Sequence, residues 1–401
     1  MAAYLLQCSA CGYEQPETSY VVACQKCGGL IEVILKNSLA ERKFDDRYPS
    51  IFRYHAFMPY EPTEDHLLFE DIEIAPEFID SSLSEISGVE IIAKDEIQMP
   101  TGTWKDLEGF VSIHRLLINK ISDMVLFSSG NTGTSLARSA SKIRGPRIHI
   151  VVPKASEPRV RAVMDAFYDP DYVRLHFFDG SNDECVLEAK RFSIEHGFVV
   201  EGGFTNYARR EGLKLLALEH IDTREAPVDW YAQPVASGIG VYSFEKACID
   251  AGVQPPRILG VQADICSPMV RAWEAGVDIL DPQYIPQDVI PSDFVRVLRT
   301  RDPSSSYPTV KKVLDRVAGR MIGVSDNEIY MGLRNFYRSP YFRNLHKENK
   351  ILVGLEAATA FAGVCKAVKE GWISKGSRVL LNVSGAAKRG DVKMEWIQDL
   401  L

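Results

Sequence analysis

The chain lacks an excess of positive charge. It has 46 lysines and arginines against 54 aspartates and glutamates, and its formal net charge is −8. Such a surface repels a phosphate backbone, so we expect no nucleic-acid partner. Apolar runs long enough to cross a bilayer are also lacking, and Met1–Leu6 is much shorter than the core of a signal peptide. We therefore expect no membrane partner and a cytoplasmic location.

Cysteines are few outside one N-terminal group, which argues against a disulfide framework. In the absence of a secretion signal, scattered cysteines are expected to be small buried apolar residues in a reducing compartment. These scattered cysteines are Cys185, Cys248, Cys266 and Cys365.

The N-terminal cysteines have the spacing of a metal site. Cys8 pairs with Cys11 and Cys24 with Cys27; twelve residues separate the pairs, and a glycine follows each. Two such turns can bring four thiolates into a tetrahedron, and ligation by thiolates alone is typical of structural zinc. We predict a zinc-ribbon-like module over residues 1–38. The alternatives are a redox pair, whose usual βαβ context is missing, and a ribbon without metal.

Strand-like and helix-like segments alternate from about Val89 onward, and amphipathic stretches such as Asn182–His196 separate most of the strands. The predicted strands are Val89–Lys94, Asp123–Phe127, Ile148–Val152, Val173–Phe178, Phe198–Glu201, Asp229–Val235, Arg257–Gln262 and Arg378–Val383. This alternation predicts an α/β fold with parallel sheets covered by helices. At 401 residues, the chain is expected to form two substantial domains.

Three predicted strands end in loops of small and polar residues, where parallel sheets bind their ligands. In the first loop, Asn131 could donate to an oxygen on a bound ring, or simply cap a helix. In the second, amides around Gly238 and Gly240 could hold a phosphate, or form a tight structural turn. In the third, the hydroxyl of Ser384 could hydrogen-bond a pyridine nitrogen, or be an ordinary serine at the end of a strand.

A lysine lies where a strand and a glycine turn lead into a helix, in the segment Pro100-Thr-Gly-Thr-Trp-Lys105. Lysine forms an imine only when its amine is deprotonated, which burial or nearby positive charge favours. A solvated lysine in a turn is the alternative. The lysine turn, asparagine loop, glycine loop and terminal hydroxyl follow predicted strands in this order, and their combination is more specific than any one of them.

In these motifs the chain resembles the threonine synthase branch of the fold type II pyridoxal 5′-phosphate (PLP) enzymes, the tryptophan synthase β-like family. Residues 100–106 are similar to that family's Pro-Thr-Gly-Ser-Phe-Lys-Asp segment, with Thr103 and Trp104 as departures, and Gly130–Gly133 matches its Gly-Asn-Thr-Gly loop. Threonine synthases usually continue the lysine motif with Asp-Arg-Gly. This chain has Asp106-Leu107-Glu108 instead, which looks closer to cysteate synthases.

The resemblance implies a role for each motif. Lys105 would bind PLP covalently and later move the Cα proton, Asn131 would bond the phenolic oxygen of PLP, and Ser384 would meet its ring nitrogen. Arg209 would contact an anion, with a salt bridge on the helix surface as the alternative. The phosphate would be held by the loop Ser237, Gly238, Ile239, Gly240 and Val241, and the substrate carboxylate by Ser129, Gly130 and Thr132.

The resemblance also implies the domain organisation. Residues 39–120 and 222–401 would form the large PLP-binding domain, and residues 121–221 a smaller mobile domain that carries the asparagine loop. The small-molecule partners would be an amino acid and a nucleophile, and the chain would form a homodimer.

The implied reaction is a β-replacement in which O-phospho-L-serine and sulfite give L-cysteate and phosphate. Val241 stands where the relatives' phosphate loop usually has a glycine, so a different donor or acceptor is open. The alternatives are threonine synthesis from O-phospho-L-homoserine and water, or a related replacement in specialised amino-acid biosynthesis. A zinc-ribbon scaffold on an inactive PLP fold is disfavoured by the intact Lys105, Asn131 and Ser384. A dinucleotide-binding dehydrogenase is disfavoured because Gly238-Ile-Gly240 lacks the third glycine.

Overall fold

The computed structural model describes residues 4–16, 20–62, 69, 71–128, 130–287, 298–387 and 392–401. The strands are β1 (Tyr4–Cys8), β2 (Glu14–Gln15), β3 (Ile31–Leu35), β4 (Glu77–Ile79), β5 (Glu90–Asp95), β6 (Asp123–Phe127), β7 (Arg147–Pro153), β8 (Val173–Phe178), β9 (Val199–Val200), β10 (Trp230–Pro234), β11 (Arg257–Ala263), β12 (Arg320–Val324) and β13 (Arg378–Val383). The helices are α1 (Ser81–Ser87), α2 (Lys105–Ile118), α3 (Asn131–Ile143), α4 (Glu157–Met164), α5 (Asn182–His196), α6 (Tyr207–Gly212), α7 (Lys214–Thr223), α8 (Ile239–Asp250), α9 (Pro268–Glu274), α10 (Tyr307–Arg316), α11 (Asp326–Phe336), α12 (Pro340–Asn349) and α13 (Leu355–Lys369). Within these described residues, no helix is both long and apolar enough to cross a membrane.

The chain divides into two compact units. The first contains Met1–Ile74, Lys105–Leu218 and Asp250–Gly252, and the second contains Ala75–Trp104, Glu219–Ile249 and Val253–Leu401. These units divide the chain differently from the predicted domains. The predicted range 39–120 is split between them, because α2 packs against α3 and α6 of the first unit.

The first unit contains two sheets. Its N-terminal strands form a small antiparallel sheet in the order β2-β1-β3. Its other sheet is parallel, in the order β8-β7-β6-β9. Apolar residues of α2, α3 and α4 pack against the parallel sheet. Helix α5 begins with a capping box between Ser181 and Glu184 and ends at Gly197 in the left-handed conformation, with φ of 70°.

The second unit is built on one sheet in the order β12-β11-β10-β13-β5-β4, parallel except for β4 at its edge. The central strands are almost fully buried, as expected for strands covered on both faces. Helix α13 packs against β10, β11 and β13, and it contributes buried alanines that let it lie close to the sheet. The α/β class with parallel sheets is therefore confirmed.

Strand order determines which loops of the second unit are neighbours. Strands β5, β13 and β10 lie side by side and run parallel. Their carboxyl ends consequently lie at the same edge of the sheet. The segment before Lys105 follows β5, the glycine loop follows β10, and Ser384 follows β13.

Candidate active site

The segment that leads to the lysine is anchored to the end of β13. The Ser384 hydroxyl oxygen accepts a hydrogen bond from the backbone N–H of Trp104 at 3.1 Å and lies 3.3 Å from the Thr103 hydroxyl. The N–H of Ala386 donates to the carbonyl of Gly102 at 2.6 Å. Ser384 is buried, so its hydroxyl has a defined environment at the edge of the sheet.

The glycine loop of the second unit packs against the same tryptophan. Helix α8 begins at Ile239, and Gly238 before it has a φ of 79°, which disfavours any residue with a Cβ. A Cβ at Gly240 would lie 2.5 Å from Cη2 of Trp104 and 2.8 Å from Cδ of Gln233. Glycine is therefore required for the first turn of α8 to approach the Trp104 ring, and the first-turn amides at Ile239, Gly240 and Val241 have no partner within the helix.

In the first unit, Lys105 is the first residue of α2, and its side chain retains 18% exposure. Its Nζ donates to Oε2 of Glu108 at 3.1 Å. Burial lowers the pKa of Lys105; the Glu108 carboxylate opposes this effect, whereas the Arg209 guanidinium adds to it. Only the neutral amine of a lysine reacts with an aldehyde, and a lowered pKa increases the fraction of that form.

The asparagine loop is joined to α2 by a hydrogen bond. Helix α3 begins at Asn131, directly after Gly130 at the N-cap. The Thr132 hydroxyl donates to Oε1 of Glu108 at 2.8 Å. The start of a helix favours an anion, so this end of α3 suits a carboxylate. Ser129, the other predicted contact, lies outside the described residues.

Arg209 of α6 is buried and paired with carboxylates. Its Nη2 donates to Oε1 of Glu108 at 3.0 Å and to the Thr132 hydroxyl at 3.0 Å, and its Nη1 donates to Oε2 of Glu201 at 3.2 Å. Arg209 therefore does form salt bridges, as the alternative predicted, but they are not on the helix surface, because Arg209 is only 9% exposed. The anion-contact role of Arg209 stays a prediction.

The structure thus groups the predicted residues within each unit. In the first unit, Lys105, Thr132 and Arg209 all contact one carboxylate, that of Glu108. In the second unit, Ser384 and the glycine loop both contact Trp104. The sequence predicts no role for Glu108. Its position three residues after Lys105 on a helix was the signal that the two side chains could be in contact.

The residues of each unit suit a different part of PLP. In the first unit, a largely buried lysine with a lowered pKa suits the aldehyde. In the second unit, a helix start formed with glycines suits the phosphate, and a buried neutral hydroxyl suits the ring nitrogen.

The four N-terminal cysteines form a separate cluster in the first unit. Their sulfur atoms all lie within 4.8 Å of one another. The closest pairs are Cys8 with Cys27 at 3.5 Å, Cys11 with Cys24 at 3.8 Å and Cys11 with Cys27 at 3.4 Å. Tetrahedral zinc with Zn–S bonds of about 2.3 Å places its sulfurs about 3.8 Å apart, so these four thiols fit a zinc ion.

Comparison with known proteins identifies the class. The family described as "Pyridoxal-phosphate dependent enzyme" matches residues 79–385, and the chain belongs to this family. It is accordingly a PLP-dependent enzyme, and the curated relatives that it resembles are synthases. The resemblance to the threonine synthase and cysteate synthase branch is confirmed.

Two curated relatives and one solved structure show how similar the chain is to known proteins. Cysteate synthase from Methanocorpusculum labreanum is 28% identical over 400 residues, which cover 96% of this chain and 93% of that protein. Threonine synthase from Mycobacterium bovis is 24% identical over 310 residues, which cover 76% of this chain and 79% of that protein. Diaminopropionate ammonia lyase from Escherichia coli has a similar fold, with a TM-score of 0.65 at 16% identity over 89% of this chain and 96% of that one.

Proposed function

We propose that the chain catalyses a PLP-dependent β-replacement on an O-activated L-serine. The favoured substrates are O-phospho-L-serine and sulfite, and the products are L-cysteate and phosphate. The observation that carries this proposal is the match to a cysteate synthase over 96% of the chain. The cytoplasmic location and the homodimer stay predictions.

In this proposal each motif has one task toward the cofactor. Lys105 holds it covalently, and the amides of Gly238, Ile239 and Gly240 bind its phosphate, with Ser237 and Val241 flanking them. Asn131 donates to its phenolic oxygen, and Ser384 meets its ring nitrogen. Bound PLP acidifies the Cα–H of an amino acid, because its ring accepts the developing negative charge.

The remaining groups orient the substrate and move its proton. Gly130 and Thr132, at the start of α3, receive the substrate carboxylate together with Ser129. The Lys105 amine takes the proton from Cα, and the lowered pKa of Lys105 favours the neutral amine that this role requires. Loss of a group from Cβ requires only this proton, whereas loss from Cγ requires a second proton, from Cβ.

The neutral hydroxyl of Ser384 supports a replacement reaction. A hydroxyl partner protonates the ring nitrogen less fully than a carboxylate partner would. Ser384 would therefore leave the bound ring less electron-withdrawing, which would favour departure of the leaving group over other reactions at Cα. The burial of Ser384 and its contact with the Trp104 N–H support an ordered position for the hydroxyl.

We also infer that Cys8, Cys11, Cys24 and Cys27 bind a structural zinc ion. The sulfur separations support this inference. The turns around the cluster do so as well, since the N–H of Gly12 donates to the carbonyl of Cys8 and the N–H of Gly28 to that of Cys24.

Threonine synthesis from O-phospho-L-homoserine is the second candidate, because threonine synthases also match this chain. The test is to incubate purified holoenzyme separately with each phosphorylated donor, with and without sulfite, and to follow phosphate and the amino-acid product. We expect sulfite-dependent release of phosphate from O-phospho-L-serine, with cysteate as the product. Threonine from O-phospho-L-homoserine, with no reaction of O-phospho-L-serine, would overturn the proposal.

A further inference from the structure

Glu108 has no task in the roles proposed above, although it lies at the centre of the first unit's charged network. Its side chain is fully buried. Oε1 accepts hydrogen bonds from Thr132 and Arg209, at 2.8 and 3.0 Å, and Oε2 accepts one from Lys105 at 3.1 Å. A buried carboxylate is unfavourable unless it is paired, so these three donors account for its presence.

The two oxygens of Glu108 have different kinds of partner. Thr132 and Arg209 hold Oε1, and neither changes its protonation in the reaction. Oε2 accepts a hydrogen bond from Lys105, whose charge does change. With Lys105 protonated, the two cations Lys105 and Arg209 balance the two anions Glu108 and Glu201.

We propose that Glu108 is a positioning residue that holds Lys105 in its ammonium form and thereby sets the pH range in which the lysine is attached to PLP. The inference deepens the proposed function and rests only on the part that assigns PLP to Lys105. Attachment joins the neutral amine nitrogen to the aldehyde carbon and releases one water molecule. The ammonium must first release one proton to solvent, and the carboxylate of Glu108 opposes that release.

The charges around Lys105 give the direction of the effect. Burial and the Arg209 guanidinium favour the neutral amine, whereas Glu108 and, more weakly, Glu201 favour the ammonium. Removing the charge of Glu108 leaves Glu201 as the weaker opposing group. A carboxylate in direct contact typically shifts a pKa by 1 to 3 units, so the neutral fraction of Lys105 should rise about tenfold or more at pH values below its pKa.

The test uses the full chain after removal of its cofactor. Added PLP is mixed with wild type or Glu108→Gln over a range of pH, and capture is followed by the visible absorption of the bound cofactor. Borohydride reduction and peptide mass spectrometry identify the lysine that is modified. Glutamine keeps Oε1 as the acceptor for Thr132 and Arg209, so the variant changes the charge with little change in shape. Glu201→Gln is the matched control, because it removes a carboxylate from Arg209 without touching Lys105.

We expect Glu108→Gln to capture PLP on Lys105 about tenfold faster than wild type at pH values below the midpoint of the profile of capture against pH. That midpoint should lie about one pH unit lower than in wild type. Glu201→Gln should move the midpoint much less. If Glu108→Gln does not fold, Glu108→Asp replaces it, and its shorter side chain should produce a smaller shift in the same direction. Capture on Lys105 with an unchanged midpoint overturns the inference and leaves the proposed function standing. Absence of PLP from Lys105 overturns the proposed function itself.

Discussion

Substituting Gly212 with alanine tests whether the close contact between α6 and α2 maintains the charged network. Gly212 ends α6, three residues after Arg209, and lies against the part of α2 that carries Glu108. A Cβ at Gly212 would lie 2.6 Å from the carbonyl oxygen of Leu107 and 2.7 Å from Cα of Glu108. Both atoms belong to the backbone, so one helix must move by about 0.7 Å to restore ordinary contact distances.

The expected magnitude combines two opposing effects. Overpacking of this kind costs about 1–3 kcal/mol, and the higher helix propensity of alanine returns at most about 1 kcal/mol. We therefore expect Gly212→Ala to lower the free energy of unfolding by about 1–2 kcal/mol, measured by urea denaturation. Because α6 carries Arg209 and α2 carries Glu108, movement of either helix should also change the capture of PLP, although no charged group has been altered.

Gly145→Ala is the matched control. The atoms nearest to its added Cβ would be Cδ1 of Leu117 at 3.1 Å, the end of a flexible side chain, and Cγ2 of Ile143 at 3.5 Å, an ordinary contact distance. We expect a change of no more than about 0.5 kcal/mol. An equal loss in both variants, or no loss in Gly212→Ala, would refute the argument from backbone contact.

Three further predictions concern the remainder of the fold. Burial, followed by the neighbouring Arg115, lowers the pKa of His114 from 6.5 to about 4. The folded state therefore resists a proton that the unfolded state accepts below pH 6.5, so the free energy of unfolding should fall by about 3 kcal/mol from pH 6.5 to 4. Urea titrations at several pH values should show a smaller pH dependence for His114→Leu than for wild type. Cys11→Ser should reduce the zinc content measured by elemental analysis, and an unchanged content would contradict the four-thiolate site. Lys94 and Glu219 form a fully buried pair at 2.7 Å, so Lys94→Met should lower the free energy of unfolding by about 3–5 kcal/mol, whereas adding Glu219→Leu should recover most of that loss; a double variant as unstable as the single one would contradict the pairing.

Much of the secondary structure could be predicted because the signals are local. Strands β6, β8 and β13 and helix α5 have the predicted bounds. Each of these strands closely follows a turn, and α5 has a capping box at its start and a glycine after its end. Strand β12 was missed, because its short Met-Ile-Gly-Val run contains a glycine and follows α10 with few turn signals.

The rest could not be predicted because it depends on contacts between distant segments. From the sequence, Glu108 could be a solvated partner of Lys105 or the buried centre of a network. Helices α3 and α6 decide between these, because they bring Thr132 and Arg209 to it. The compact units depend on packing in the same way. The sequence shows α2 following a strand of the second unit but does not show its contacts with α3 and α6.

The central claim is that Lys105 carries the cofactor. The most direct measurement is to reduce the purified holoenzyme with borohydride, digest it, and identify the modified lysine by mass spectrometry. The account predicts the pyridoxyl group on the peptide that contains Lys105, and neither this group nor the visible absorption in Lys105→Ala. A modified peptide from another lysine, or a Lys105→Ala protein that keeps the absorption, would contradict it.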